Sequence, residues 1–149
     1  MPISRKCQYA VRAVFELAKR YGEGPVKIQE IAKAQAIPAQ FLEGILSVLK
    51  QSGFLASVRG QKGGYALSRP PSAITFGEVV RFVEGPLHPV DCGAEGAGPD
   101  CPLGPDCVFL PVWREAEAAV SAVYDSLTFG ELLAREQRLC LSKAVAYVI

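Results

Sequence analysis

The chain has 149 residues, which fits a single domain, and half of these residues are hydrophobic while 21% are charged. This composition supports a packed core, but no apolar run approaches the roughly 20 residues that span a bilayer. The first residues also lack the apolar stretch of a secretory signal. We therefore expect a small soluble cytoplasmic protein with no membrane partner, and we exclude a membrane protein, a secreted mini-protein and a long multidomain enzyme.

The net charge of +1 hides an asymmetry between the two halves of the chain. Residues 1–69 hold eleven Lys or Arg against four Asp or Glu, whereas residues 70–149 hold five against eleven. A basic half attracts polyanions, of which a nucleic-acid backbone is the most common. An uneven spread of solvated charges remains the alternative at this point.

The first third of the sequence predicts a long helix. Ser4 is placed to cap a helix that runs to about Tyr21 and stops at Gly22. Apolar residues recur at helical spacing and are expected to form its buried stripe. These residues are Tyr9, Val11, Val14, Phe15, Leu17, Ala18 and Tyr21.

Two further helices are predicted after Gly24-Pro25. A short one carries Ile28, Ile31 and Ala32 on one face, and Ala36-Ile37-Pro38 then predicts a tight turn. Pro38 is expected at the first position of a third helix, which ends near Gly53. The apolar positions of the third helix are Phe41, Leu42, Ile45, Leu46, Val48 and Leu49.

A short helix, a turn and a longer helix are typical of a helix-turn-helix, whose second helix enters the DNA major groove. The polar side of the third helix is expected to read bases, since Gln suits adenine, Glu accepts from cytosine and Ser suits either. An ordinary three-helix bundle is the alternative. The candidate reading residues are Gln40, Glu43, Ser47 and Lys50.

Residues 54–58 and 65–68 predict two strands of a hairpin that follows the third helix. The loop between them is rich in glycine, with Gly60, Gly63 and Gly64, and carries Arg59 and Lys62. An exposed arginine in such a wing can enter a narrow minor groove. A nucleotide-binding loop is disfavoured because a strand, and not a helix, follows the glycines.

Thr75 and Glu78 stand in capping-box register and predict a helix that ends at Gly85. The same four letters return at residues 128–131 and predict a second helix start. Between these two starts lies the cysteine loop (residues 86–111), which is too rich in Gly and Pro for regular structure and is expected to be functional.

The cysteine loop holds Cys92, Cys101 and Cys107. Disulfides are disfavoured by a reducing compartment and an odd number of thiols, and structural zinc usually takes four ligands in close pairs. Thiolates also hold iron–sulfur clusters, so cluster, zinc and free thiols all stay open from spacing alone. Cys7 and Cys140 lie in helical or apolar surroundings and are expected to be buried core thiols.

A helix is predicted after Pro111, and apolar residues recur along it at spacings of three and four. This seam is typical of a helix that pairs with a partner, which favours a homodimer, although packing on its own domain is the alternative. The seam consists of Trp113, Ala116, Val120, Val123 and Leu127.

Taken together, these motifs resemble the IscR–NsrR family of winged-helix transcription regulators, also called the Rrf-two family. The resemblance covers nearly the whole chain. Its specific part is the Arg-Gly-x-x-Gly-Gly-Tyr of the wing (59–65) followed by three loop cysteines. It is also carried by residues 9–13, 41–43, 79–86 and 112–113.

The resemblance implies a dimeric DNA-binding repressor or activator whose loop holds a 2Fe-2S or 4Fe-4S cluster that senses iron–sulfur, redox or nitric oxide status. By position, Gln40, Glu43 and Arg59 would contact bases or grooves. Cys92, Cys101 and Cys107 would be the cluster ligands. We expect a repressor, with a cluster-free thiol or zinc regulator or a small interaction protein as alternatives.

The sequence departs from the family pattern at the fourth ligand. Some members have a histidine three residues after the last cysteine, where this chain has Leu110, and others have an acidic residue where it has Gln8. The first cysteine gap is also longer than in the best-known members. Candidate fourth ligands are therefore Gln8 and His88, with Cys7, Asp91 and Asp106 as further candidates.

The expected fold is mostly α with a small β-wing. A winged helix-turn-helix domain should span residues 1–85, the cysteine loop 86–111, and a dimerisation helix with a C-terminal segment 112–149. With one histidine and no paired carboxylate motif, the sequence offers no catalytic constellation, so we expect no enzyme activity.

Overall fold

The computed structural model describes residues 3–90, 92, 101, 103 and 106–146, with the side chains of residues 145 and 146 left out. Within these residues the chain forms six helices and one two-stranded antiparallel sheet, which confirms the mostly α fold with a small β-wing. The elements are α1 (Arg5–Lys19), α2 (Ile28–Gln35), α3 (Ala39–Gln51), β1 (Leu55–Val58), β2 (Gly64–Leu67), α4 (Phe76–Glu84), α5 (Leu110–Asp125) and α6 (Phe129–Ala146).

Helix α1 is the centre of the fold, because α2, α3, α4, α6 and β2 all pack against it. It begins as predicted, with the Ser4 hydroxyl accepting a hydrogen bond from the Cys7 backbone at 3.1 Å. It ends at Lys19, earlier than expected, so Tyr21 lies beyond the helix and is 46% exposed. The prediction that Tyr21 belongs to the buried stripe is therefore wrong.

Helices α2 and α3 form the predicted helix-turn-helix. Ala36 follows α2 in the left-handed conformation with φ of 48°. Pro38 directly precedes α3, which begins at Ala39, one residue later than predicted. The backbone amide of Lys27 donates to the Glu30 carboxylate at 3.1 Å, which fixes the start of α2.

The β-hairpin pairs Leu55 with Leu67 and Val58 with Gly64. It is also tied to the segment before α2, since Val26 and Tyr65 exchange two backbone hydrogen bonds of 2.8 Å. The hairpin therefore extends from the helix-turn-helix as a fixed wing.

The starts of α4 and α6 lie side by side. In each, the hydroxyl of Thr75 or Thr128 accepts a hydrogen bond at 3.1 Å from the backbone of the glutamate three residues on. The two starts are joined by backbone bonds from Phe76 to Leu127 and from Phe129 to Ile74. Phe129 is fully buried in the same core as α1, so α6 returns to the N-terminal helices.

Helix α5 is the least buried helix of the fold. None of its 16 residues is buried, and its main contact is with α4. Arg81 of α4 forms an ion pair with Asp125, and the rings of Phe76 and Tyr124 pack edge to face with centroids 5.1 Å apart. No helix in the described ranges combines the length and the hydropathy needed to cross a bilayer.

Candidate nucleic-acid interface and cysteine loop

One side of α3 is buried and the other is open to solvent. The core side consists of Leu42, Ile45, Leu46 and Leu49, each at most 5% exposed. All four candidate reading residues are exposed, and we call this surface the recognition face: Gln40, Glu43, Ser47 and Lys50. The structure thus places them together on one accessible helix side.

Two residues of α3 differ from the predicted pattern. Phe41, expected among the apolar core positions, is 55% exposed, so that prediction is wrong. Phe41 lies in the first turn, and its direction on the helix falls between the core side and the recognition face. Gly44 lies one turn after Gln40, and a Cβ placed there would meet no atom within 4 Å. The centre of the exposed side is therefore bare of side chain.

A buried carboxylate holds the helix-turn-helix against α1. Among the described residues, the one buried charged side chain is that of Glu16, at 5% exposure. It accepts hydrogen bonds from Arg20 at 3.0 Å and from Gln35 at 2.9 Å. Because Gln35 is the last residue of α2, Glu16 fixes the end of α2 just before the turn into α3.

The wing loop places Arg59 and Lys62 in solvent. Gly60 has φ of 108°, a conformation that favours glycine, and its carbonyl accepts a bond of 3.0 Å from Gly63. A Cβ at Gly63 would overlap the carbonyl oxygen of Val58, and one at Gly64 would overlap that of Val26. The glycines are therefore required by close backbone packing.

A polar groove of about 550 Å³ separates the wing from the start of α2. Lys27 and Gln29 line one side and Arg59 and Gln61 the other. Sequence reasoning missed Lys27 as part of this surface, although its place directly before a predicted helix start was a usable signal. The groove brings a basic group from the residue before α2 and one from the wing to the same face.

The three loop cysteines are half-buried and unlinked by disulfides. Cys107 lies closest to regular structure, and its carbonyl accepts a bond of 3.3 Å from Leu110, the first residue of α5. Across the part of the chain that the structure describes, no three His, Cys, Asp or Glu side chains form a group that could hold a metal ion.

The candidate fourth ligands have different surroundings. Gln8 is exposed on α1 and donates to the Ile3 carbonyl at 3.0 Å. The Nδ1 atom of His88 lies 2.9 Å from the Glu117 carboxylate on α5. Asp106 is exposed, and Asp91 lies outside the described residues.

The two remaining cysteines differ from each other. Cys7 is fully buried, as predicted, and burial together with the nearby Glu84 carboxylate raises the pKa of its thiol to about 12. A thiol with such a pKa is a poor source of thiolate. Cys140 is exposed, so the prediction of a buried core thiol is wrong there. Cys140 lies in the second half of α6, beyond the Lys19–Glu136 ion pair that joins α6 to α1. The neighbouring Leu139 and Leu141 are also exposed.

The predicted seam of α5 is largely accessible. Trp113, Ala116, Val120 and Val123 are exposed, and Leu127 is half-buried. The side of α5 that faces α4 carries Glu117, Ser121 and Tyr124, all half-buried. Val112, Ala116, Ala119 and Val123 are all exposed and form what we call the apolar strip of α5. Val112 and Ala119 were not in the predicted seam, although the four residues of this strip follow one another at spacings of four, three and four.

A helix-turn-helix whose second helix is exposed on one side, followed by a basic hairpin, defines a winged helix-turn-helix DNA-binding protein. Residues 3–135 match the profile of the Rrf2 family, described as "Iron-dependent Transcriptional regulator". The chain belongs to the Rrf2 family of transcriptional regulators, which bind DNA and are not enzymes.

Relatives and solved structures agree with this assignment. The chain is 36% identical over 132 residues to the HTH-type transcriptional regulator CymR of Bacillus subtilis, covering 89% of each protein. It is 35% identical to the HTH-type transcriptional regulator IscR of Aliivibrio salmonicida, over 89% of this chain and 77% of the relative.

Two solved structures have the same fold. The structure described as CymR, "the Global Cysteine Regulator of B. subtilis", superposes with a TM-score of 0.76 at 34% identity, covering 91% of this chain and 98% of that one. The structure of T. potens IscR superposes with a TM-score of 0.74 at 33% identity, covering 91% of this chain and 88% of that one.

Proposed function

We propose that this chain is a homodimeric repressor that binds operator DNA through the recognition face and the wing, and whose DNA affinity is set by an iron–sulfur cluster on Cys92, Cys101 and Cys107. The observation that carries the proposal is the position of the cysteine loop. It joins the end of α4, which packs on α1, to α5, whose main contact among the described residues is with α4.

The donor set supports a cluster. Three thiols in one loop are half-exposed and unlinked by disulfides, and thiolates are the usual ligands of iron–sulfur clusters. When bound, a cluster would supply an inorganic centre that reacts with oxidants or nitric oxide. Gln8 and His88 are the candidates for the fourth position, and the neighbouring Glu117 already engages one ring nitrogen of His88.

Side chains at the start of the loop contact both α1 and α5 and can pass on its state. Glu84, directly before the loop, accepts hydrogen bonds from the backbone and hydroxyl of Ser4 at the start of α1. His88 ties the first part of the loop to Glu117 of α5. An ordered loop would therefore fix α5 relative to the DNA-binding helices, and a released loop would change the spacing of two recognition helices in a dimer.

Anaerobic purification tests the cofactor directly. The wild-type chain should contain iron and acid-labile sulfide and absorb visible light. The triple variant with Cys92, Cys101 and Cys107 changed to Ala should lose all three signals. Cys140→Ala, which removes an exposed cysteine outside the loop, should keep them. A colourless, iron-free wild-type protein would contradict the cluster.

A cluster-free thiol regulator is the second candidate. It is favoured by the identity to CymR, for which a Staphylococcus aureus structure is described as an "oxidized form" at 30% identity and a TM-score of 0.69. Half-exposed loop thiols suit such a role. Iron-free protein whose DNA affinity changes with oxidant, and only while the loop cysteines are present, would support this candidate over the cluster.

A further inference from the structure

The exposure of Phe41 has no explanation in the packing of α3. A large aromatic side chain usually gains from burial, yet more than half of this one stays in water while the neighbouring Leu42 is completely buried. Phe41 lies in the first turn of α3, the part of a recognition helix that reaches base edges. Its exposed ring therefore stands where DNA is expected.

The surface beside Phe41 is a cleft of about 530 Å³ between α1 and α3. Its walls are mostly apolar, and Tyr9 and Val48 continue the surface that Phe41 begins. Arg5 and Lys6 lie at its edge, and neither forms an ion pair within the described residues. An apolar wall edged by free cations suits a ligand with a small apolar group next to phosphates.

Gly44 adds a second, independent feature to this surface. It lies in the middle of α3, where glycine weakens a helix, and a Cβ there would meet no protein atom. Core packing therefore does not require this glycine. The bare helix surface between Gln40 and Ser47 allows base edges to approach close enough to reach the ring of Phe41.

We infer that Phe41 is a specificity-determining residue that recognises a thymine in each operator half-site through the C5-methyl group. Thymine is the base that presents a methyl group in the major groove, and an apolar side chain is its natural partner. Arg5 and Lys6 contact the neighbouring phosphates and so fix the ring over the base. The inference rests on the proposed entry of α3 into the major groove.

The experiment begins with an operator selected from random duplexes by the full-length chain. Each thymine of that operator is then replaced singly by deoxyuridine, which keeps the base pair and removes only the methyl group. Wild-type affinity should fall about fourfold at one thymine position per half-site, the effect of one buried methyl group. The other thymine positions should tolerate the change.

Variants assign that loss to Phe41. Phe41→Ala should bind the thymine and uracil operators equally, whereas Phe41→Leu should keep part of the discrimination because it remains apolar. Tyr21→Ala removes another exposed aromatic away from α3 and should discriminate as the wild type does. Circular dichroism confirms that each variant is folded.

The outcomes separate this inference from the function on which it rests. If the wild-type chain selects an operator but tolerates deoxyuridine at every position, or if Phe41→Ala still discriminates, Phe41 does not read thymine. If no sequence is enriched, sequence-specific binding itself is contradicted, and the role of Phe41 falls with it.

Discussion

Two glycines show opposite reasons for lacking a side chain. A Cβ at Gly64 would overlap the Val26 carbonyl, whereas one at Gly44 would meet nothing. Gly64→Ala should lower the free energy of unfolding by about 2 kcal/mol or more, because the wing must move away from α2. Gly44→Ala should raise it by about 0.5–1 kcal/mol, since alanine is the better helix former. Urea unfolding measures both, and equal effects would contradict the assigned wing packing.

Arg59 and Lys62 belong to the same exposed loop but are expected to act differently on DNA. Arg59→Ala should weaken operator binding by about 1–3 kcal/mol and leave non-specific binding less affected, if the guanidinium contacts a base. Lys62→Ala should weaken both kinds of site and reduce the salt slope by about one, as expected for a phosphate contact. Fluorescence anisotropy over a salt series measures both quantities. Unchanged binding by both variants would exclude the wing from the interface.

The sequence correctly predicted that the polar side of α3 faces solvent, but it placed Phe41 on the wrong side. The recognition face follows from helical periodicity, and the wing glycines from the turn that they must make. The prediction for Phe41 was wrong because periodicity identifies apolar residues but does not show how far the neighbouring helix α1 covers α3. Cys140 was misplaced for the same reason, since α1 covers only the first half of α6.

At the scale of single elements, the paired helix starts of α4 and α6 make stability depend on pH. Burial acts to raise the pKa of Glu78, but hydrogen bonds from Thr75 and the ion pair with Arg69 outweigh it, so the pKa is lowered. A lowered pKa means that the stabilisation is present above the ordinary carboxyl pKa and is lost as the pH falls through the lowered value.

Glu78→Gln should therefore destabilise the protein by about 0.5–1 kcal/mol at pH 7, the range of a partly exposed cap and ion pair. At an acid pH below that lowered pKa the difference from the wild type should become much smaller, because the wild-type carboxyl is then protonated as well. Urea midpoints at the two pH values measure this. Glu115→Gln, whose carboxylate has no hydrogen bond among the described residues, is the control. A constant difference at both pH values would contradict the assigned role of the carboxylate.

The elements themselves were predictable because their signals are local. Capping residues, turn glycines and apolar spacing predicted the six described helices, or at least where each begins, and both strands to within a few residues. The contact between the starts of α4 and α6 was not predictable, since it joins residues more than 50 positions apart through backbone atoms. The orientation of α5 on α4 likewise depends on long-range partners such as Arg81 and Asp125.

At the scale of the whole molecule, the apolar strip of α5 is exposed and has no packing partner among the described residues. If this strip forms the interface of the proposed homodimer, Val123→Glu should yield a monomer, because a charge cannot be buried between two helices without compensation. Val58→Glu places the same charge on an exposed valine of the wing and should leave the dimer intact. Light scattering after size-exclusion chromatography gives the mass. A dimeric Val123→Glu protein would place the interface elsewhere.

The cysteine loop connects these scales, since in the sequence it lies between the DNA-binding helices and the apolar strip of α5. The most direct test is the operator affinity of anaerobically purified wild-type chain against the triple Cys92, Cys101 and Cys107 to Ala variant, with Cys140→Ala as control. We predict a change of at least about tenfold for the folded triple variant, equal to about 1.4 kcal/mol, and none for the control. Equal affinity of all three proteins for the operator would contradict control of DNA binding by the loop.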